Sequence, residues 1–163
     1  MNNWTMLSTN QNDLLWEIVS ARIRFRPSIK KSRFLKPFQV PEPFIVYDIS
    51  SYYDNKEADK LINDLENKTW KVFLECTLVN EKIYALDYQH PGYLVDPRKP
   101  MDRNEFNEWI VPVFPNGDYY FFFQENFEWG ILGHPWRKEM TIFGEKLIDS
   151  YKKHMPILFK ETI

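Results

Sequence analysis

Pro115-Asn116-Gly117-Asp118 runs directly into Tyr119-Tyr120-Phe121-Phe122-Phe123-Gln124. The first four residues predict a turn, because proline presets the local backbone and Gly117 tolerates the positive φ that tight turns need. The six that follow have the aromatic composition of a strand. Successive side chains of a strand point to opposite faces, so Phe121, Phe122 and Phe123 cannot all face one core. Whatever lies on the second face must also be covered, by another layer of the protein or by a partner.

Similar short aromatic or β-branched runs flank this one, at residues 82–89, 92–95, 109–114, 127–132 and 140–143, separated by Pro, Gly, Asn and Asp. Strands joined by links this short predict an antiparallel meander, with residues 82–143 supplying most of the sheet. Gly144 then opens a helix over 145–151, which Pro156 ends. Upstream, Asn12 and Asp13 are expected to cap a helix carrying Leu14, Ile18, Ala21 and Phe25 on one side, stopped by Pro27. Residues 44–49 predict a buried strand, and Asp54 or Asn55 a cap for a helix with Ala58, Leu61, Ile62 and Leu65 on one face. Residues 69–78 fit both the alternation of a strand and a helical stripe, and helix is the preferred expectation. These elements make a single α+β domain over residues 1–163. Its sheet is mainly antiparallel and comes from the second half, with N-terminal helices and a C-terminal helix packed on one face.

A chain of 163 residues buries roughly 70% of the surface its unfolded form exposes, enough for one proper core. Aromatics are 17% of it, which makes that core unusually rich in rings and excludes a disordered chain. Net charge is −2, yet Arg22, Arg24, Arg26, Lys30, Lys31, Arg33 and Lys36 fall in one run with no acid among them. The sequence pI near 5.9 argues against a dedicated nucleic-acid binder, and the run is expected to lie against the acidic body. The single Cys76 excludes an internal disulfide and, among apolar neighbours, is expected to be an inert buried thiol. No leader pattern or membrane-length apolar stretch is present in the sequence, so a soluble cytoplasmic protein with no membrane partner is expected.

Two of the three histidines precede proline, at His90-Pro91 and His134-Pro135. A residue before proline is held in extended geometry, so both imidazoles are presented on restrained backbone. Gly92 and Gly133 adjoin them, and Tyr93 and Trp136 flank them, which predicts one shared cleft with aromatic walls. Its expected binding residues are Tyr88, Gln89, His90, Tyr93, Asp118, Tyr120, His134 and Trp136. His90, His134, Asp87 and Asp118 are the candidates for acid–base catalysis or for a mixed imidazole and carboxylate metal site. The ordinary alternative is that each His donates to a backbone carbonyl and each Asp caps a turn. No Gly-x-Ser-x-Gly turn supplies a nucleophile and no ligand spacing completes a metal site, so no catalytic residue, metal or cofactor is assigned.

Ala85-Leu86-Asp87-Tyr88-Gln89-His90-Pro91, Pro115 to Tyr120, Gly133-His134-Pro135-Trp136 and the step Phe143-Gly144 together resemble an uncharacterised bacterial family, a domain of unknown function, over roughly residues 10 to 152. Tyr88 stands where that family is expected to have Trp. The resemblance implies no reaction, cofactor or ligand. A looser architectural likeness is to immunity and scaffold domains of the yeast cell-wall regulator type, also α+β with a turn-rich second half. The function expected is that of a non-catalytic domain binding another protein, as an immunity-type factor. The alternative is a small hydrolase or metal-dependent enzyme using the His and Asp residues of the His-Pro segments.

Overall fold

The computed structural model describes residues 3–27 and 37–162. Phe121, Phe122 and Phe123 are all fully buried, which their alternating directions allow only because helices cover both faces of the sheet. The strands are β1 (Trp4–Met6), β2 (Phe44–Asp48), β3 (Ile83–Asp87), β4 (Tyr93–Val95), β5 (Tyr120–Gln124), β6 (Gly130–His134), β7 (Glu139–Phe143) and β8 (Lys160–Glu161). They form one eight-stranded sheet in the order β1-β4-β3-β5-β6-β7-β2-β8. Every adjacent pair is antiparallel. The helices are α1 (Thr9–Ile23), α2 (Ala58–Cys76) and α3 (Glu145–Lys153).

Residues 82–143 do supply most of the sheet, as β3 to β7, and the α+β class is as expected. The covering differs from expectation. Leu15, Val19 and Ile23 of α1 pack with Leu86, Phe121, Phe123 and Leu132 on one face. Leu65, Val72 and Phe73 of α2 and Leu147 and Tyr151 of α3 pack with Ala85, Phe122 and Ile131 on the other. The sheet is therefore sandwiched rather than covered on one side.

Local departures have local causes. Ser8, not Asn12 or Asp13, caps α1: its hydroxyl accepts the Gln11 N–H at 3.2 Å while Gln11 Oε1 accepts the Ser8 N–H at 2.9 Å. That start turns the buried stripe to Leu15, Val19 and Ile23 and leaves Leu14 exposed. The helix ends in a left-handed Arg24 with φ 51°, ahead of Pro27. Asn55 does not cap α2; it accepts the Glu57 N–H in a turn just before it. α2 then runs unbroken to Cys76, so 69–76 is helix. Strand β2 forms, but Phe44 is exposed and only Tyr47 is fully buried. Residues 109–114 form no strand. Trp109, Val111, Val113 and Phe114 are buried on the α2 face, but Pro112 and Pro115 lack the N–H a ladder needs, and a lone Arg103–Trp109 bridge is all the pairing there. Most of the basic run from Arg22 to Lys36 lies outside the described residues. No helix among the described residues is long and apolar enough to cross a membrane.

Candidate functional site

β3 ends in Asp87, and the chain turns through Tyr88 to Gly92 into β4. Asp87 organises that turn. Its Oδ1 accepts the Gln89 N–H at 3.1 Å, and its Oδ2 lies 3.0 Å from His90 Nδ1. The turn is held from outside as well: Gly92 donates its N–H to Asn12 Oδ1 of α1 at 3.0 Å, and Tyr88 donates its N–H to the Tyr119 carbonyl at 3.2 Å. The His90 side chain is 71% exposed while that of Asp87 is 12% exposed. With Nδ1 engaged by the carboxylate, Nε2 is the ring atom left to face outward.

The pairing of Asp87 with Tyr120 brings the start of β5 alongside, and with it Asp118, two residues earlier on the same side. Oxygens of Asp87 and Asp118 and a ring nitrogen of His90 all lie within 4.8 Å of one another. Burial pushes the Asp118 carboxyl up from its ordinary value and the Asp87 charge adds to this, against the Tyr119 N–H and His90, which favour the anion. The Tyr120 phenol is pushed up to about 12, first by burial and then by Asp87, Asp118 and Glu108. This is a half-buried electronegative corner carrying one solvent-facing imidazole. Three oxygen and nitrogen donors of this kind suit a hard or borderline divalent cation, and an imidazole oriented through Nδ1 suits proton transfer or hydrogen bonding at Nε2.

His134 is not part of this corner. The β5–β6 register places it on the α1 face with Leu132, whereas Asp87 shares the α2 face with Ala85 and Ile83. Its ring is 4% exposed, packs 5.1 Å from the Tyr119 ring and accepts the Arg137 N–H through Nδ1 at 3.3 Å. Burial, helped by Arg137, holds its pKa down to about 4. The two His-Pro steps thus reach the same end of the sheet but opposite faces, and the single shared cleft does not form.

Of the residues expected to bind, Gln89, His90, Asp118 and Tyr120 gather around this corner, and Tyr88 adjoins it with its ring turned to the α1 face. Tyr88 is 41% exposed, with its ring edge-on to Trp16, Phe25 and Tyr119. Tyr93 instead packs edge-on against Trp4, and Trp136 packs with the α1-face core. Sequence reasoning missed two contributors. Asn12 had the signal of a helix cap but tethers the turn, and Glu108 had no signal at all.

The fold and corner define an α+β domain whose sheet is covered by helices on both faces and whose β3–β4 turn carries an Asp-held histidine. The chain belongs to the family described as "Protein of unknown function (DUF2716)", whose model matches residues 6–148 and so spans both His-Pro steps and Asp118. It is 42% identical over 164 residues to "Uncharacterized protein YxiI" of Bacillus subtilis (strain 168), covering 98% of this chain and 99% of that protein. The expected membership of an uncharacterised bacterial family is borne out. No solved structure matches the chain.

Proposed function

We propose that this is a cytoplasmic binding domain that engages another protein through the corner formed by Tyr88, Gln89, His90, Asp118 and Tyr120. The observation that carries the reading is His90, whose imidazole is largely exposed yet fixed on Asp87 at 3.0 Å. A side chain immobilised before binding loses little entropy on binding, and Tyr88 is likewise held by three rings while offering an open edge. Tyrosines in such settings are frequent interface anchors. The negative field around Tyr120 favours a partner with basic groups. In its narrower form the partner is a toxin and the domain an immunity factor that neutralises it.

The test places a photo-crosslinking residue at position 88 and, as control, at the exposed Ile157. Capture of one protein from position 88 alone, followed by at least about tenfold weaker binding of that purified protein to Y88A and H90A, supports the reading. Equal capture at both positions, or unchanged affinity of both variants, overturns it.

A second reading is favoured by the convergence of Asp87, His90 and Asp118: a divalent cation held there in a small hydrolase. Titration with Zn2+ and Mn2+ separates the two readings. Stoichiometric binding lost in D118N supports the second, and no saturable binding rejects it.

A further inference from the structure

Helix α1 does not cover its face of the sheet to the edge. Beyond it, residues 38–42 run over β6, β7 and β2 and leave an open-sided groove of about 430 Å³. Phe38, Val40, Phe44 and Val46 give the groove apolar walls. Its lining also includes two polar side chains more than nine-tenths buried, His134 at 4% exposed and Thr141 at 5%. The Arg137 N–H occupies His134 Nδ1, so the ring proton sits on Nε2 as a donor. The Thr141 hydroxyl has no hydrogen-bond partner among the described residues, and its oxygen is not among the sealed polar atoms of the core, so it is open to the groove.

Charge is disfavoured in this groove. Burial pushes the Glu139 carboxyl up and the His134 imidazole down, each toward its neutral form. The charges at the rim answer each other, Arg137 Nε lying 3.4 Å from Glu139 Oε2. An anionic occupant would meet the same desolvation cost with no free cation among the described lining residues, where the one further charge, Glu42, is also negative.

We propose that the groove binds a small uncharged molecule with an apolar body and a carbonyl oxygen, the body against Phe38, Val40, Phe44 and Val46 and the oxygen accepting from His134 Nε2 and the Thr141 hydroxyl. Its volume lies within the range of small-molecule sites. The site is on the opposite face of the sheet from the His90 corner and stands independently of any partner there.

Three probes of one shape test it on the intact protein: benzamide, with a neutral carbonyl; benzoate, with a charged one; and ethylbenzene, with none. The methyl resonances of Val40, Val46 and Thr141 report occupancy. Benzamide is expected to shift all three saturably with a Kd on the order of 1 mM, with the other two probes at least about tenfold weaker. T141V, nearly isosteric, is expected to weaken benzamide about fivefold at an unchanged melting temperature. Absence of saturable shifts with benzamide overturns the proposal, as does equal binding of benzoate or ethylbenzene. Because the probe comparison uses the native protein, it decides the matter even if T141V fails to fold.

Discussion

The hydroxyls of Thr69 and Tyr151 lie 2.8 Å apart, both wholly buried where α2 meets α3. Burial drives the Tyr151 ionisation far up, so the phenol is neutral and can donate to or accept from threonine. T69V leaves the phenol sealed without its partner and is expected to cost about 1–3 kcal/mol. Y151F is expected to cost less, since a helical threonine can turn back to the carbonyl four residues earlier. The double variant should cost less than the sum of the two, measured by urea melts. Strict additivity would show that the bond contributes nothing.

Glu75 fastens the same two helices at the surface. It takes hydrogen bonds from His154 at 2.7 Å, Ser150 at 2.8 Å and Lys153 at 3.0 Å, which lower its pKa from 4.5 to about 2. A carboxylate whose folded pKa is depressed contributes stability that is complete above its unfolded value and is lost as pH falls through the folded one. The melting temperature of the native protein should therefore carry a component that disappears between pH 4.5 and about 2. E75Q should lack that component while matching the native slope at higher pH.

The buried His134 gives a dependence in a different window. Its pKa falls from 6.5 to about 4, so between those values the unfolded chain binds a proton that the native one does not. Its contribution is complete above pH 6.5 and is lost as pH falls toward 4, to a total of about 3 kcal/mol. Imidazole resonances followed from pH 8 to 3.5 check this directly: the His134 ring should stay neutral well below pH 6. A midpoint near 6.5 would refute its burial as an uncharged donor.

Gly130 opens β6 between two phenylalanines. A Cβ there would lie 2.5 Å from Phe143 Cε1 and 2.7 Å from Phe123 Cδ1, and 3.0 Å from the Phe122 carbonyl oxygen. Backbone and two fully packed rings cannot all give way, so G130A is expected to destabilise by about 2–3 kcal/mol. Chemical denaturation measures it, and a neutral result would mean the ring pair is loosely packed.

Much of this was legible in the order of residues, for physical reasons that differ from place to place. The β5 strand was visible because Gly117 and three phenylalanines impose a turn and a two-sided strand on any fold they join. The phase of α1 was misread by one residue because Ser8 and Gln11 form a capping box upstream of Asn12, and the hydrophobic pattern alone is weak. Residues 109–114 alternate like a strand because they lid the α2-face core, and only the prolines hinted that no ladder could form. Strands β1 and β8 are too short to announce themselves and exist through pairing with β4 and β2. At the site, Asp87 and His90 meet within one turn, but Asp118 joins them through the β3–β5 register. The same kind of register sends His134 to the other face, a parity that spacing along the chain does not contain.

Asp87 holds the candidate corner together in two ways, as acceptor for the Gln89 N–H and His90 and as a negative charge beside Asp118 and Tyr120. D87N separates them. The amide oxygen can still accept from Gln89, but the NH2 group facing His90 Nδ1 donates where the carboxylate accepted, so the imidazole is held in its Nε2–H tautomer or loses its fixed orientation. The pair is exposed on the histidine side, so the stability change is expected to stay within about 1 kcal/mol. The field changes more. With one negative charge gone, the Asp118 carboxyl and the Tyr120 phenol should both move back toward their ordinary values, Tyr120 from about 12. Alkaline titration of the tyrosine absorbance, with Y120F to assign it, and carboxyl carbon shifts for Asp118 follow the two groups. An unmoved Tyr120 would mean that the Asp87 charge does not reach it and that Asp87 and Asp118 do not act on a ligand as one site.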